Sequence, residues 1–209
     1  MKYKLLGRSG LRVSELCLGC GTVGTNWGPL GADKKESFKI MNGFAEEGGN
    51  FLDTSNRYQE SQSEQWVGDF IQKERDFFVV GTKYSLGDGA GDFNGIGLPT
   101  NQKDPNNRGN HRKNLRRSVE ASLKRLKTDY IDLYQLHWPE RNTNYFGQRD
   151  YTHKENEAWQ DNFAEALSNL EAFVRDGKIR HIGLSNETPF GVMRCIEEFR
   201  NGKLKIVSV

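Results

Sequence analysis

Residues 16–31 read LCLGCGTVGTNWGPLG, an apolar run over 16–23 that passes into glycine-rich chain. A short apolar run closed by turn residues is the pattern of a strand buried on both faces. Five more lie at 50–54, 77–83, 130–138, 179–184 and 204–209. Between these runs, apolar residues recur at the helical period: Phe38, Met41, Phe44 and Ala45; Trp66, Val67, Phe70 and Ile71; Leu115, Val119, Leu123 and Leu126. A fourth stripe, Phe163, Ala166, Leu167, Leu170, Phe173 and Val174, ends at Gly177, a residue suited to a left-handed stop. Thr188-Pro189 opens a fifth helix that is expected to bury Phe190, Met193, Ile196 and Phe199.

Strands that alternate with helices long enough for crossovers give an α/β fold with a parallel sheet. A doubly wound sheet usually carries a G-x-G-x-x-G phosphate loop after its first strand. The glycines of GCGTVGTNWGPLG are not read as that fingerprint, so the expected architecture is a (β/α)8 barrel of the TIM type. Six of its eight strands are visible. Barrel active sites gather at the C-terminal ends of the strands. The opening YKLLGRSGLRV reads as a separate hairpin within residues 1–13, turned at Ser9-Gly10, and the whole of 1–209 as one domain.

Composition removes several functions. The 209 residues carry 30 basic and 28 acidic side chains, and a net charge of +2 gives no broad reason to seek a nucleic acid or an anionic membrane. The basic residues around 111–127 read as a solvated helix face. No run approaches the roughly 18 apolar residues of a membrane span, and MKYKLLGRSG lacks a signal-peptide core. A cytoplasmic protein is expected. Cys17, Cys20 and Cys195 do not form a disulfide framework, and no histidine near the C-x-x-C pair completes a zinc site, so no metal is expected. That pair reads either as buried strand cysteines or, with Cys20 accessible at a strand end, as a redox pair.

The strand ends carry the chemistry. The second ends at Asp53 with Tyr58 five residues on, the third at Lys83, and the fourth at His137-Trp138-Pro139. Singly, each has a plain reading: a turn-forming aspartate, a half-buried loop aromatic, a snorkelling lysine, a hydrogen-bonded core histidine. Converging on one barrel mouth, they form an acid–base constellation. An ammonium beside a phenol favours the phenolate, so Lys83 would make Tyr58 a better proton donor, and a carboxylate at Asp53 would hold the lysine.

GNFLDTSNRY (49–58), SEQWVGDFI (63–71), VVGTKYS (79–85), SLKRLKTDYIDLYQLHWPE (122–140) and DGKIRHIGLSNET (176–188) resemble the aldo-keto reductases in order and spacing. HWPERNTNYFGQRDY (137–151) is similar to the branch holding potassium-channel β-subunit-like and aryl-alcohol-dehydrogenase-like members. The resemblance implies NADPH-dependent reduction of aldehydes and ketones to alcohols without a Rossmann domain. It makes Tyr58 the general acid, Lys83 its assisting cation, Asp53 the partner of Lys83, and His137 the group that orients the carbonyl. Ser185 and Asn186 would hold the nicotinamide carboxamide, and Thr22 and Asp53 would touch the cofactor. Ser55 stands where alanine is usual and Gln59 where glycine is usual. Gln59 is expected to alter the packing of the tyrosine loop.

Two long segments are expected to shape substrate choice. Residues 86–113 hold six glycines, and 139–160 hold Tyr145, Phe146, Tyr151 and Trp159, which with Trp138 would wall an aromatic pocket or simply pack as a lid. Members of the resembled family continue past a sixth strand, whereas this sequence stops at Val209 within it, so the barrel is expected to be incomplete. Three readings compete: a reductase of small carbonyl substrates, a subunit that holds NADPH as a redox sensor, and an inactive fragment. Unpaired outer strands leave a homo-oligomer open.

Overall fold

The computed structural model describes residues 1–84, 112–139, 143, 149–150, 162–200 and 205–209. Two short strands, β1 (Tyr3–Leu5) and β2 (Arg12–Ser14), pair antiparallel. Six strands then form one parallel sheet: β3 (Cys17–Gly19), β4 (Phe51–Asp53), β5 (Val79–Tyr84), β6 (Ile131–Leu136), β7 (Ile179–Leu184) and β8 (Ile206–Ser208). Their spatial order is their sequence order, β3-β4-β5-β6-β7-β8. A doubly wound sheet reverses direction at a switch point. This one never does, and it curls into a half-barrel with its helices outside.

Gly19, Gly21 and Gly24 do stand at G-x-G-x-x-G spacing, contrary to the expectation from sequence. The chain beyond Gly24 nevertheless excludes the dinucleotide fingerprint, which needs a helix opening at the loop to meet a pyrophosphate. Here it passes through a 3₁₀ turn at Gly28–Leu30, and the helix α1 (Lys34–Glu46) begins only after the Asp33 cap, whose side chain accepts from the Glu36 amide at 2.9 Å.

The remaining helices are α2 (Gln62–Ile71), α3 (Arg112–Leu126), α4 (Phe163–Arg175) and α5 (Pro189–Glu198). The core lies between them and the outer face of the sheet. Leu52, Val80, Tyr134 and Ile182 project outward to meet Met41, Val67, Ile71, Leu115, Val119, Leu126, Leu167 and Leu170. An ion pair crosses this layer: wholly buried Glu64 of α2 accepts from Arg125 Nε at 2.5 Å and from the Thr82 hydroxyl at 2.6 Å. Period-two alternation sends the other set of strand residues inward. Asp53 pairs in register with Gly81, and Lys83 with Gln135, so these polar side chains share the concave face.

Three further features differ from the sequence expectation. The first is β3, which is not buried on both faces: it pairs only with β4 among the described residues, and Cys17 is exposed. Cys20 is the buried cysteine, and burial pushes its thiol up, away from the reactive thiolate. In α5 the helix starts as expected, with the Thr188 hydroxyl accepting from the Gly191 amide at 3.3 Å, but it buries Gly191 and Cys195, while Phe190, Met193 and Ile196 lie exposed. Spacing alone marks that stripe as core, but α5 packs against α4 with Gly191 and Cys195 as its buried residues. The hairpin, finally, is joined by Leu6–Leu11 rather than a tight Ser9-Gly10 turn. Gly7 takes a left-handed φ of 54°, and its missing side chain leaves room for the Val207 carbonyl, which stands where a Cβ would intrude.

Candidate active site

The C-terminal ends of β4, β5 and β6 bring Asp53, Lys83 and His137 to one rim of the sheet. Lys83 is buried, and its ammonium makes three hydrogen bonds: to Asp53 Oδ2 at 2.5 Å, to the Thr54 carbonyl at 3.1 Å and to the Tyr58 hydroxyl at 3.1 Å. Gln135, the register partner of Lys83, donates to the other oxygen of Asp53 at 3.1 Å. The carboxylate is thus clamped from two sides and cannot swing away from the lysine. The four residues singled out from sequence meet here, because the His137 ring stands edge-on to the Tyr58 ring with centroids 5.7 Å apart.

Tyr58 opens a tight segment after β4. Gln59, Glu60 and Ser61 come next with φ of 51°, 54° and 73°, three successive non-glycine residues in the left-handed region. Each such residue is costly, so the conformation needs tertiary support. Gln59 supplies it. Its wholly buried side chain donates to the Gly21 carbonyl at 3.1 Å and accepts from the Trp27 amide at 2.8 Å, while its own carbonyl accepts from Asn26 Nδ2 at 2.9 Å. Gly24, at φ 140°, leaves the room: a Cβ there would lie 2.5 Å from the Gln59 Cβ. Gln59 therefore ties the tyrosine loop to the segment after β3, and Trp27 meets the Tyr58 ring edge-on at 6.2 Å. Thr22 lies exposed in that segment, one residue from Gly21, whose Cβ position is 3.9 Å from the Tyr58 ring.

His137 is buried and neutral at physiological pH. Burial pushes its imidazole down to about 3, and the charges of Lys83 and Arg57 push the same way. Its Nδ1 lies 3.1 Å from the Ser55 hydroxyl, which also accepts from the Arg57 amide at 3.1 Å. Trp138 stacks beside it at 6.0 Å and is itself buried, while Tyr145, Phe146, Tyr151 and Trp159 lie outside the described residues, as does the glycine-rich stretch 85–111.

Beyond β7, Ser185 receives its backbone anchor from the Leu136 carbonyl at 2.8 Å. Asn186, at a left-handed φ of 54°, donates through Nδ2 to the His137 carbonyl at 2.8 Å and to the Ser185 hydroxyl at 3.0 Å. These bonds leave the Asn186 Oδ1 and the Ser185 hydroxyl hydrogen without a described partner. An acceptor beside a donor is the complement of a primary carboxamide.

Sequence reasoning missed Gln135, whose signal was its place two residues before His137 on an inward-facing register. It noted Ser55 and Gln59 only as departures from a pattern. Among the described residues, no cluster of three or more His, Cys, Asp or Glu side chains is placed to hold a metal, and no helix is long and apolar enough to cross a membrane.

Comparison with known proteins bears on the family and the fold. The norsolorinic acid reductase of Aspergillus flavus is 37% identical over 199 residues, covering 92% of this chain and 45% of that protein. The protein tas of Escherichia coli is 36% identical over 210 residues, covering 94% of this chain and 55% of its own. The chain thus spans about half the length of these relatives. Among solved structures, a thermostable aldo-keto reductase in complex with the inhibitor epalrestat superposes with a TM-score of 0.69 at 26% identity, over 99% of this chain and 61% of that one. The profile of the Aldo/keto reductase family matches residues 15–209. Joined to the singly wound sheet and the residues at its strand ends, a match over nearly the whole sequence is decisive: the chain belongs to the aldo/keto reductase family.

Proposed function

We propose that the protein reduces aldehyde and ketone carbonyls of small molecules to alcohols with NADPH, using Tyr58 as the proton donor. The observation that carries this reading is the Lys83 ammonium, held by Asp53 and aimed at the Tyr58 hydroxyl at 3.1 Å. Family membership supports the general chemistry. NADPH as the particular cofactor rests on the resemblance of the sequence, and the carboxamide complement at Ser185 and Asn186 fits a nicotinamide.

When bound, the reduced nicotinamide supplies a hydride to the carbonyl carbon. As negative charge grows on the carbonyl oxygen, Tyr58 gives up its hydroxyl proton to it, and the Lys83 ammonium stabilises the phenolate left behind. Asp53 holds the ammonium in place, with Gln135 holding the carboxylate. His137 orients and polarises the carbonyl oxygen. Its neutrality spares the site a second cation beside Lys83. Trp138, stacked beside His137, and Thr22, next to the Gly21 that borders the Tyr58 ring, would flank substrate and cofactor.

The full-length protein should oxidise NADPH in the presence of an aromatic aldehyde. Tyr58→Phe should keep cofactor binding and lower kcat by at least the ~10²-fold that general acid catalysis supplies. Turnover by the phenylalanine variant at the wild-type rate would remove Tyr58 from the role.

A further inference from the structure

Ser55 is wholly buried, and its hydroxyl has two partners among the described residues, the Arg57 amide and His137 Nδ1, each at 3.1 Å. A backbone amide can only donate, so the Arg57 N–H takes a lone pair of Oγ. The hydroxyl hydrogen, shut away from solvent, then has Nδ1 as its acceptor among these residues. A donor hydrogen left unpaired in the interior is costly, which sets the direction of the bond. An Nδ1 that accepts carries no proton of its own. In a neutral imidazole the single proton must then sit on Nε2, whatever Nε2 itself meets.

We propose that Ser55 is a positioning residue that fixes His137 as the Nε2–H tautomer and so makes the ring a hydrogen-bond donor to the carbonyl oxygen. The role toward substrate rests on the reductase reading; the tautomer does not. With the opposite tautomer, Nε2 would turn a lone pair toward an oxygen that is gaining negative charge. The serine reaches the ring because the backbone after β4 folds back at once: Tyr58 N–H donates to the Ser55 carbonyl at 3.2 Å, and Asn186 pins the His137 backbone from the far side. Hydroxyl, imidazole and phenol are thereby set by one turn of chain.

The test is the ring nitrogen spectrum of histidine-labelled protein at neutral pH, with the His137 signal assigned by its loss in His137→Asn. The wild type should show a pyridine-type Nδ1 and a pyrrole-type Nε2. Ser55→Ala should shift these signals toward a mixture of tautomers and lower kcat by about five- to tenfold, the worth of one hydrogen bond, with KM for NADPH unchanged. Ser55→Thr, which keeps the hydroxyl, should restore both. A pyrrole-type Nδ1 in the wild type overturns the proposal without any variant, and so does an unaltered ring spectrum in Ser55→Ala. The expected spectra in a protein that reduces no carbonyl would uphold the tautomer and refute the reductase reading; turnover with a pyrrole-type Nδ1 would do the reverse.

Discussion

Lys83→Met removes the charge on which the proposed proton transfer from Tyr58 depends while nearly preserving the length of the side chain. Two unit charges 3.1 Å apart interact by about 5 kcal/mol at an effective dielectric of 20. If half of a unit charge has built up on the Tyr58 oxygen in the transition state, the loss is ~2.5–3 kcal/mol, or roughly 10²-fold in kcat. KM for NADPH should change little, since the interaction grows only as the proton leaves. The same substitution leaves Asp53 without its cation. Breaking a fully buried pair costs about 3–5 kcal/mol, and the exposure of Asp53 (25% of its side chain) together with its bond from Gln135 brings the expected loss of stability to about 2 kcal/mol. Steady-state NADPH oxidation and urea unfolding measure the two effects separately. A double-mutant cycle with Tyr58→Phe sharpens the first: once the phenol is gone, losing Lys83 should cost kcat far less than it does alone. A Lys83→Met enzyme within about threefold of wild type, or costs that simply add in the cycle, would refute the reasoning.

The same geometry sets two further outcomes. His137 titrates at about 3 in the folded chain, below its value of about 6.5 when unfolded, so the unfolded state binds the extra proton between those limits. Its contribution to stability is complete above pH ~6.5 and is lost as pH falls toward about 3; His137→Gln should flatten the pH dependence of the unfolding free energy in that window by up to ~1.4 kcal/mol per pH unit, and an unchanged slope would contradict the burial argument. Gln59→Ala deletes two buried side-chain bonds while keeping the left-handed φ, so chemical denaturation should show a loss of about 2 kcal/mol, and less for Gln59→Gly, which relieves ~1 kcal/mol of backbone cost; equal stability of Gln59→Ala and wild type would show that the loop holds itself.

The central strands were legible because β5 and β6 are buried almost throughout and β7 at four of its six positions, so that apolar residues recur along each and outnumber the few polar ones. The outer strand β3 and the helix α5 were not, because exposure there depends on which neighbours stand beside them. Leu16 and Met193 are as apolar as Leu52, yet both lie exposed. The spacing of Gly19, Gly21 and Gly24 was overlooked, yet the barrel reading holds, because a glycine pattern says nothing about whether a helix opens after it. In the site, Asp53, Tyr58, Lys83 and His137 could be named from residue type and position at strand ends. The helpers could not. A serine, two glutamines and their partners acquire meaning only through hydrogen bonds that span 82 residues, as between Ser55 and His137 or between Gln135 and Asp53, or through a left-handed turn that no propensity would assign to Gln59.

The proposed reduction is tested by tracing the hydride itself. The full-length protein is incubated with an aromatic aldehyde and NADPH carrying deuterium at the transferring position of the nicotinamide, and the alcohol is examined by mass spectrometry. Hydride transfer from the nicotinamide with Tyr58 as proton donor should give one deuterium on the carbinol carbon of the product in the wild type, and almost no product from Tyr58→Phe. Alcohol without deuterium, or labelled alcohol formed equally fast when Tyr58 is phenylalanine, would contradict it.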